Sequence, residues 1–312
     1  MIEAAARTGV AKRLLLLAVI AFLCLIPFLL IIAVSLGQKI DGAYWEWGLT
    51  LGNYKRFFVG ADWPQTTSTL HLSQLWYSIY YAMVAAIAAV ATAFPFTYLM
   101  TRGSSRRQTF WLIFFLSSVS LSEVFVAMGW DVLLSARSGL PMLFRETGIT
   151  DWLKDAGWFG TLRDWGLATP RNVKFKPSGL ATIVTMTYLV WPYAVILLYP
   201  PLSRLDRSTE EAARTMGARP FTVVRTVVLP QVRLPVIGAV LVLFVFLLGA
   251  YVVVAVFADT SKQTLAIAIY ESVRGIALDA PFGAAQAMVL LVSAGAVLLF
   301  STWLTRKKEG RA

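Results

Sequence analysis

Three features of the sequence predict an all-α integral membrane protein with six transmembrane helices. Of the 312 residues, 58% are hydrophobic and only 14% are charged, a balance that soluble domains rarely carry. Six apolar runs are each long enough to cross the hydrocarbon core of a bilayer, and in that waterless core runs of this length satisfy their backbone as helices. The basic residues gather in short segments at alternate ends of those runs, which is the bias that orients membrane chains. The same distribution argues against reading the formal net charge of +11 as a nucleic-acid surface, because no single basic stripe forms. The whole chain, 1–312, is expected to be one membrane domain.

The first run, residues 14–36, follows Lys12 and Arg13 and contains Pro27. It is longer than the apolar core of a signal peptide, so an uncleaved span is expected. Residues 37–72 are polar and carry Tyr44, Trp45, Trp47, Tyr54 and Trp63, aromatics that suit a membrane boundary or a short surface helix. A second span is expected over 75–100, kinked at Pro95 and packed through Ala85, Ala86, Ala88 and Ala89. Arg102, Arg106 and Arg107 place the following segment in the cytoplasm, and the third span covers 110–135. Residues 136–178 are mixed in charge and fall outside by alternation, with short surface helices over 140–146 and 152–159. The fourth span, 180–199, should break near Trp191 and Pro192 and close at Pro200 and Pro201. The fifth covers 236–257 and the sixth 283–304, joined by an external connection over 258–282. Arg306, Lys307 and Lys308 stop the sixth span, so both termini fall inside.

Between the fourth and fifth spans, residues 202–235 carry Arg204, Arg207, Arg214, Arg219, Arg225 and Arg233 and are cytoplasmic by the same rule. Ser208 followed three residues later by Glu211 is a capping box, which predicts a helix beginning at Thr209. Gly217 suits the position past its end, where a positive φ is cheap. Pro220 opens a second short helix and Pro230 ends it. The predicted shape is a helix–turn–helix elbow outside the bilayer.

This elbow carries a resemblance. Glu211-Ala212-Ala213, three residues, Gly217, nine residues, Val227, one residue and Leu229-Pro230 resemble the cytoplasmic coupling loop of permease subunits of type I ABC importers; Val227 stands where isoleucine is usual. Ser138-Gly139-Leu140 and Pro281-Phe282-Gly283-Ala284-Ala285 are similar to segments of the spermidine/putrescine-type subfamily. The resemblance implies the type I permease fold in a cell (inner) membrane and alternating access. It also implies two ATP-binding subunits that hold ATP and Mg, a second permease subunit that is usually a different chain, and an extracytoplasmic solute-binding protein. It assigns Glu211, Ala212, Ala213, Arg214, Gly217, Pro220, Leu229 and Pro230 to coupling with the ATPase. Small Ala212 and Ala213 would let a helix seat deep in a partner's groove, or reflect helix propensity alone. For Glu211 the cap and an ion pair to the ATPase both stay open.

Other chemistry finds little support. Neither a P-loop pattern nor a zinc-protease or nucleophile-elbow pattern occurs, so neither bound ATP nor an enzyme of those classes is expected on this chain. One cysteine, Cys24, allows no disulfide framework. The single histidine, His71, reads as a solvated or interfacial side chain rather than a metal ligand. For the solute pathway, Glu123 and Asp131 of the third run are ionisable residues in an apolar context, which default to function. They stand eight residues apart, a little over two helical turns. Trp130 and Tyr251 offer aromatic faces for a cation or a flat solute. The plainer readings are a hydrogen bond from Glu123 to a neighbouring helix, a solvated Asp131, and packing roles for Trp130 and Trp191. Carboxylates in a membrane point to a polyamine cargo; the basic external segment suits an anion or a docking protein. A secondary transporter or channel without an ATPase is the alternative.

Overall fold

The structure, a computed structural model, describes residues 2–40, 45–136, 138–275 and 278–309; Tyr44, named above as a boundary aromatic, lies outside them. It is all-α: among the described residues the only β pairing is two isolated bridges. Among the described residues five helices are long and apolar enough to cross a membrane, Leu16–Ser35, Leu70–Arg102, Gly179–Ser203, Pro220–Leu248 and Ala280–Ser301, and a bent pair, Ser105–Val119 with Glu123–Leu133, makes six if it counts as one span. The chain divides into two compact units, Met1–Ser73 with Ala268–Ser293, and Gln74–Ile267 with Ala294–Ala312.

The first unit contains α1 (Ile2–Ser35), α2 (Gly52–Val59), the start of α3 (Leu70–Arg102), and parts of two C-terminal helices described below. The apolar run of α1 over Leu16–Ile32 is exposed almost throughout. Its end is pinned by α2: Asn53 Nδ2 donates to Ser35 O and Gly37 O at 2.9 Å, and Tyr54 Oη lies 2.7 Å from Ser35 Oγ. Arg56 Nη1 meets Asp279 Oδ2 at 2.7 Å and lies over the Phe282 ring. His71, expected to be solvated or interfacial, is half-buried. Because α3 begins at Leu70 rather than 75, His71 falls in its first turn, between the rings of Phe57 (5.8 Å) and Phe282 (5.1 Å).

In the second unit α3 buries Ala82, Ala85, Ala86, Ala89 and Ala93 along one face, the spacing of small residues that lets helices approach closely. The third run is not a straight span. It forms α4 (Ser105–Val119) and α5 (Glu123–Leu133), bent by 92° at the break. Serines explain the break: Ser117 Oγ bonds back to Ile113 O at 2.9 Å, while Ser122 leaves the helix to cap α5. Such hydroxyls offer the backbone an alternative to the helical ladder.

Residues 136–178 hold α6 (Leu140–Glu146), α7 (Ile149–Asp155) and α8 (Trp158–Asp164). The helix expected over 152–159 is therefore two. Glycines spaced by nine residues, Gly148, Gly157 and Gly166, take φ of 76°, 77° and 72° and end each turn of chain, a backbone state other residues rarely hold. In contrast, α9 (Gly179–Ser203) runs unbroken through Pro192, Pro200 and Pro201. It is packed against α4 on one side and against the fifth span on another, and such neighbours let a membrane helix tolerate proline. Trp191 packs with Phe96 and Phe115 and donates to Thr92 Oγ1 at 3.1 Å.

The fifth run is also broken, into α12 (Leu229–Leu248) and α13 (Val252–Phe257) at Gly249 and Ala250. A short α14 (Leu265–Arg274) and the long α15 (Ala280–Glu309) complete the chain. The helix α15 runs on through Arg306, Lys307 and Lys308, past the apolar stretch Ala280–Ser301.

Candidate functional site

The elbow begins with α10 (Arg207–Thr215). The expected capping box does not form. Asp206 is the N-cap, accepting the Ser208 hydroxyl at 2.7 Å and the Ser208 N–H at 2.9 Å, so the helix starts two residues earlier than Thr209. Aspartate caps as well as serine and here takes both donors at once. Those bonds, the Ser208 hydroxyl first and its N–H second, hold the Asp206 carboxyl below its ordinary range. Glu211, released from capping, is exposed and makes no hydrogen bond or ion pair among the described residues.

The neighbouring Glu210, which sequence reasoning passed over, is the anchor. Its Oε2 accepts from Tyr98 Oη at 2.8 Å and from Arg102 Nε at 3.3 Å, and its Oε1 pairs with Arg102 Nη2. Tyr98 and Arg102 are four residues apart on α3, so one helical face presents both donors, with the guanidinium over the Tyr98 ring. The side chains of Arg102 and Glu210 are 17% and 6% exposed; a charge this buried depends on its partner. Arg207 Nη2 adds a bond to Thr101 O at 3.1 Å. The signal was present in α10's period: Glu210 and Ala213, three apart, are its buried residues, while Glu211, Ala212 and Arg214 face outward.

After α10 the chain turns at Gly217, φ 85°. The Ala218 N–H reaches back to Ala213 O at 3.1 Å and the Gly217 N–H to Arg214 O at 2.9 Å, the pair of bonds that closes a helix in a left-handed turn. Pro220 then opens α11 (Pro220–Val223), as its fixed φ favours. Pro230 does not end this helix. The chain passes through one π-helical turn, Val224–Val228, into α12, where Pro230 occupies the first turn. Proline lacks the N–H that a helix start leaves unused. The second arm of the elbow is thus the foot of the fifth span, and Leu229 lies at its junction. Met216 and Phe221, on either side of the turn, are 82% and 76% exposed. Sequence reasoning missed them too, although two large apolar residues in a charged loop are a signal for a contact.

The pathway candidates lie elsewhere in this unit. Glu123 opens α5, and its Oε1 accepts the Val253 N–H at 3.2 Å in the first turn of α13, whose N-cap position is Tyr251. Two broken helices therefore meet on one carboxylate. Asp131, its side chain 42% exposed, is paired as well: Lys176 meets its carboxylate and donates to its carbonyl at 3.1 Å. The two acids do not converge, since one meets α13 and the other the segment before α9. Trp130 meets Tyr188 edge-on at 5.4 Å, and both line a cavity of about 430 Å³ with Phe125, Val126 and Leu133.

A family model described as a binding-protein-dependent transport system inner membrane component matches residues 109–307. The spermidine/putrescine transport system permease protein PotB of Escherichia coli (strain K12) is 23% identical over 274 residues, 88% of this chain and 89% of that protein. Sulfate permease 2, chloroplastic, of Chlamydomonas reinhardtii is 33% identical over 160 residues, 50% of this chain and 40% of its own. Among solved structures, a chain of a bacterial ABC transporter involved in the import of the acidic polysaccharide alginate aligns over 98% of both chains, with TM-score 0.62 and 16% identity. A chain of the MetNI methionine ABC transporter in an inward-facing conformation aligns over 76% of this chain and 95% of its own, with TM-score 0.51 and 16% identity.

Proposed function

The chain belongs to the family of binding-protein-dependent transport system inner membrane components, and on that premise we propose how its residues serve transport. It is a permease subunit of an ABC importer, a membrane component that is not itself catalytic; ATP hydrolysis belongs to separate ATPase subunits. ATP with Mg on those subunits supplies the energy when bound. This chain's part is mechanical. Glu211, Ala212, Arg214, Met216 and Phe221 form the exposed surface offered to an ATPase subunit, and Glu210 roots that surface on α3. A push on α10 passes through Glu210 to Tyr98 and Arg102, and through the continuous α11–α12 rod into the fifth span. The single observation that carries this reading is the buried Glu210–Arg102–Tyr98 cluster.

The wider assembly in this reading has two ATPase subunits, a second permease of different sequence, and a solute-binding protein docked on the side of residues 136–178. The elbow and both termini share the cytoplasmic side, as the basic flanks favour. The cargo we put first is a polyamine. The relation to the spermidine/putrescine permease supports it, and Glu123, on the same helix as the cavity-lining Trp130, suits a cation. A second reading, a small anion, is favoured by the sulfate permease relative and by Lys176, which neutralises Asp131. The test is the ATPase rate and solute uptake of the assembled complex in proteoliposomes, with binding protein loaded with spermidine, putrescine or sulfate. Stimulation by the polyamines alone supports the first cargo, and by sulfate alone the second. Uptake that proceeds without ATP would replace the importer mechanism with a secondary transporter.

A further inference from the structure

A second cavity, of about 590 Å³, opens in the same unit where α9 begins. It shares no lining residue with the Trp130 cavity and lies at the opposite end of α9 from the elbow. Its walls are graded from apolar to charged. Leu180, Ile183 and Val184 form an aliphatic side, Trp76, Tyr77 and Tyr80 an aromatic side, and Trp165 and Lys262 complete it. Lys262 is exposed and forms no salt bridge among the described residues, while Asp259 interacts electrostatically with both Lys262 and Tyr81. Tyr81 also lines the cavity; the residue is 1% exposed, and its hydroxyl has no hydrogen-bond partner. A buried hydroxyl left in this state is costly and marks a place where a ligand's acceptor would be gained. Gly179 packs closely against that hydroxyl: a β-carbon there would lie 3.3 Å from Tyr81 Oη, tighter than an ordinary contact.

The exposed part of this cavity does not suit an aqueous ligand. Trp76 and Trp165 are 64% and 67% exposed, and Leu180 and Val184 are exposed beside them. Trp152 and Trp158, on α7 and α8, are exposed as well. Tryptophan and tyrosine beside a lysine are the pattern of the lipid head-group level, and the aliphatic wall is formed by the first turns of the apolar helix α9. We infer that this cavity holds an anionic phospholipid in the leaflet at which α9 begins. Lys262 takes the phosphate, the Tyr81 hydroxyl donates to an ester oxygen deeper in, and the acyl chains cover Leu180 and Val184. The site is independent of the solute carried.

The test uses the importer complex purified with its partner subunits and titrated with phosphatidylglycerol or phosphatidylcholine, bound lipid being read by native mass spectrometry. Phosphatidylglycerol should bind the more tightly, and Lys262→Gln should weaken it about fivefold, the effect of one lysine beside an anionic lipid. Lys262→Arg should retain it, and Tyr81→Phe, which keeps the ring, should weaken both lipids. Equal phosphatidylglycerol binding in wild type and Lys262→Gln overturns the inference, as does equal affinity for the two lipids. Displacement by millimolar inorganic phosphate would make this a soluble-anion site and overturn the lipid. A cross-link from position 262 to the second permease, with no lipid retained, would assign the face to subunit contact instead. If Lys262→Gln does not assemble, Lys262→Arg and Tyr81→Phe decide the outcome: retention by the first with loss in the second supports the site, and any other pattern overturns it.

Discussion

Replacing Glu210 with alanine is the perturbation to which the elbow should respond most. The change leaves the Arg102 guanidinium, 17% exposed, with Leu202 O at 3.5 Å as its remaining acceptor, and removes the partner of the Tyr98 hydroxyl. Breaking a buried ion pair from one side costs about 3–5 kcal/mol. Residual exposure and the Leu202 carbonyl place this case at the lower end, about 3 kcal/mol. Expressed as local opening of α10, that is roughly a hundredfold faster amide exchange. The paired change Glu210→Leu with Arg102→Leu removes both charges, and because apolar replacement of a buried pair is often neutral, it should recover at least about half of the loss. The assay is hydrogen exchange of the assembled complex in nanodiscs, with ATPase and uptake rates taken in parallel. An exchange change below about threefold for Glu210→Ala, or a double variant no better than the singles, would refute the anchoring role.

Four further outcomes follow from the same structure. Gly217→Asp places a β-carbon at φ 85° and should abolish uptake while the complex still assembles and hydrolyses ATP; retained uptake contradicts the coupling role. Glu123→Ala orphans the Val253 N–H and should cost about 1–3 kcal/mol, whereas Glu123→Gln keeps an acceptor and should spare stability in a thermal assay. If a polycation passes Glu123, that same glutamine variant raises the KM for spermidine uptake, and an unchanged KM removes Glu123 from the pathway. For Asp206 the folded-state carboxyl is depressed by its bonds to Ser208, so its capping is complete above the ordinary carboxylate pKa and is lost as pH falls through the lowered value. Amide protection at the start of α10 should therefore decline below about pH 4 in the wild type and show no such step in Asp206→Ala.

Much of the elbow was legible because its signals are local. Gly217 and Pro220 announce a turn and a helix start through their own backbone chemistry, whatever surrounds them. Pro230 was misread because proline marks both the end of one helix and the first turn of the next, and only the π-helical turn of Val224–Val228 tells which applies. The breaks at Ser120–Ser122 and at Gly249–Ala250 were hidden inside runs whose hydropathy is continuous. Hydropathy reports solvent preference over a window and carries no record of helix direction.

By itself the sequence determined the class: apolar runs of spanning length, basic short segments and a spaced motif are properties of neighbouring residues, summed without regard to fold. Tertiary structure alone decided which acid anchors and which remains free. Glu210 and Glu211 are adjacent and chemically equivalent until Tyr98 and Arg102, 112 and 108 residues away in sequence, meet one of them. It also decided that Asp131 is neutralised by Lys176, 45 residues on, and that Glu123 meets a helix start 130 residues on. Such pairings depend on how helices pack, and the strength of a charge–charge contact depends on the water excluded around it. Neither quantity is a property of the local sequence.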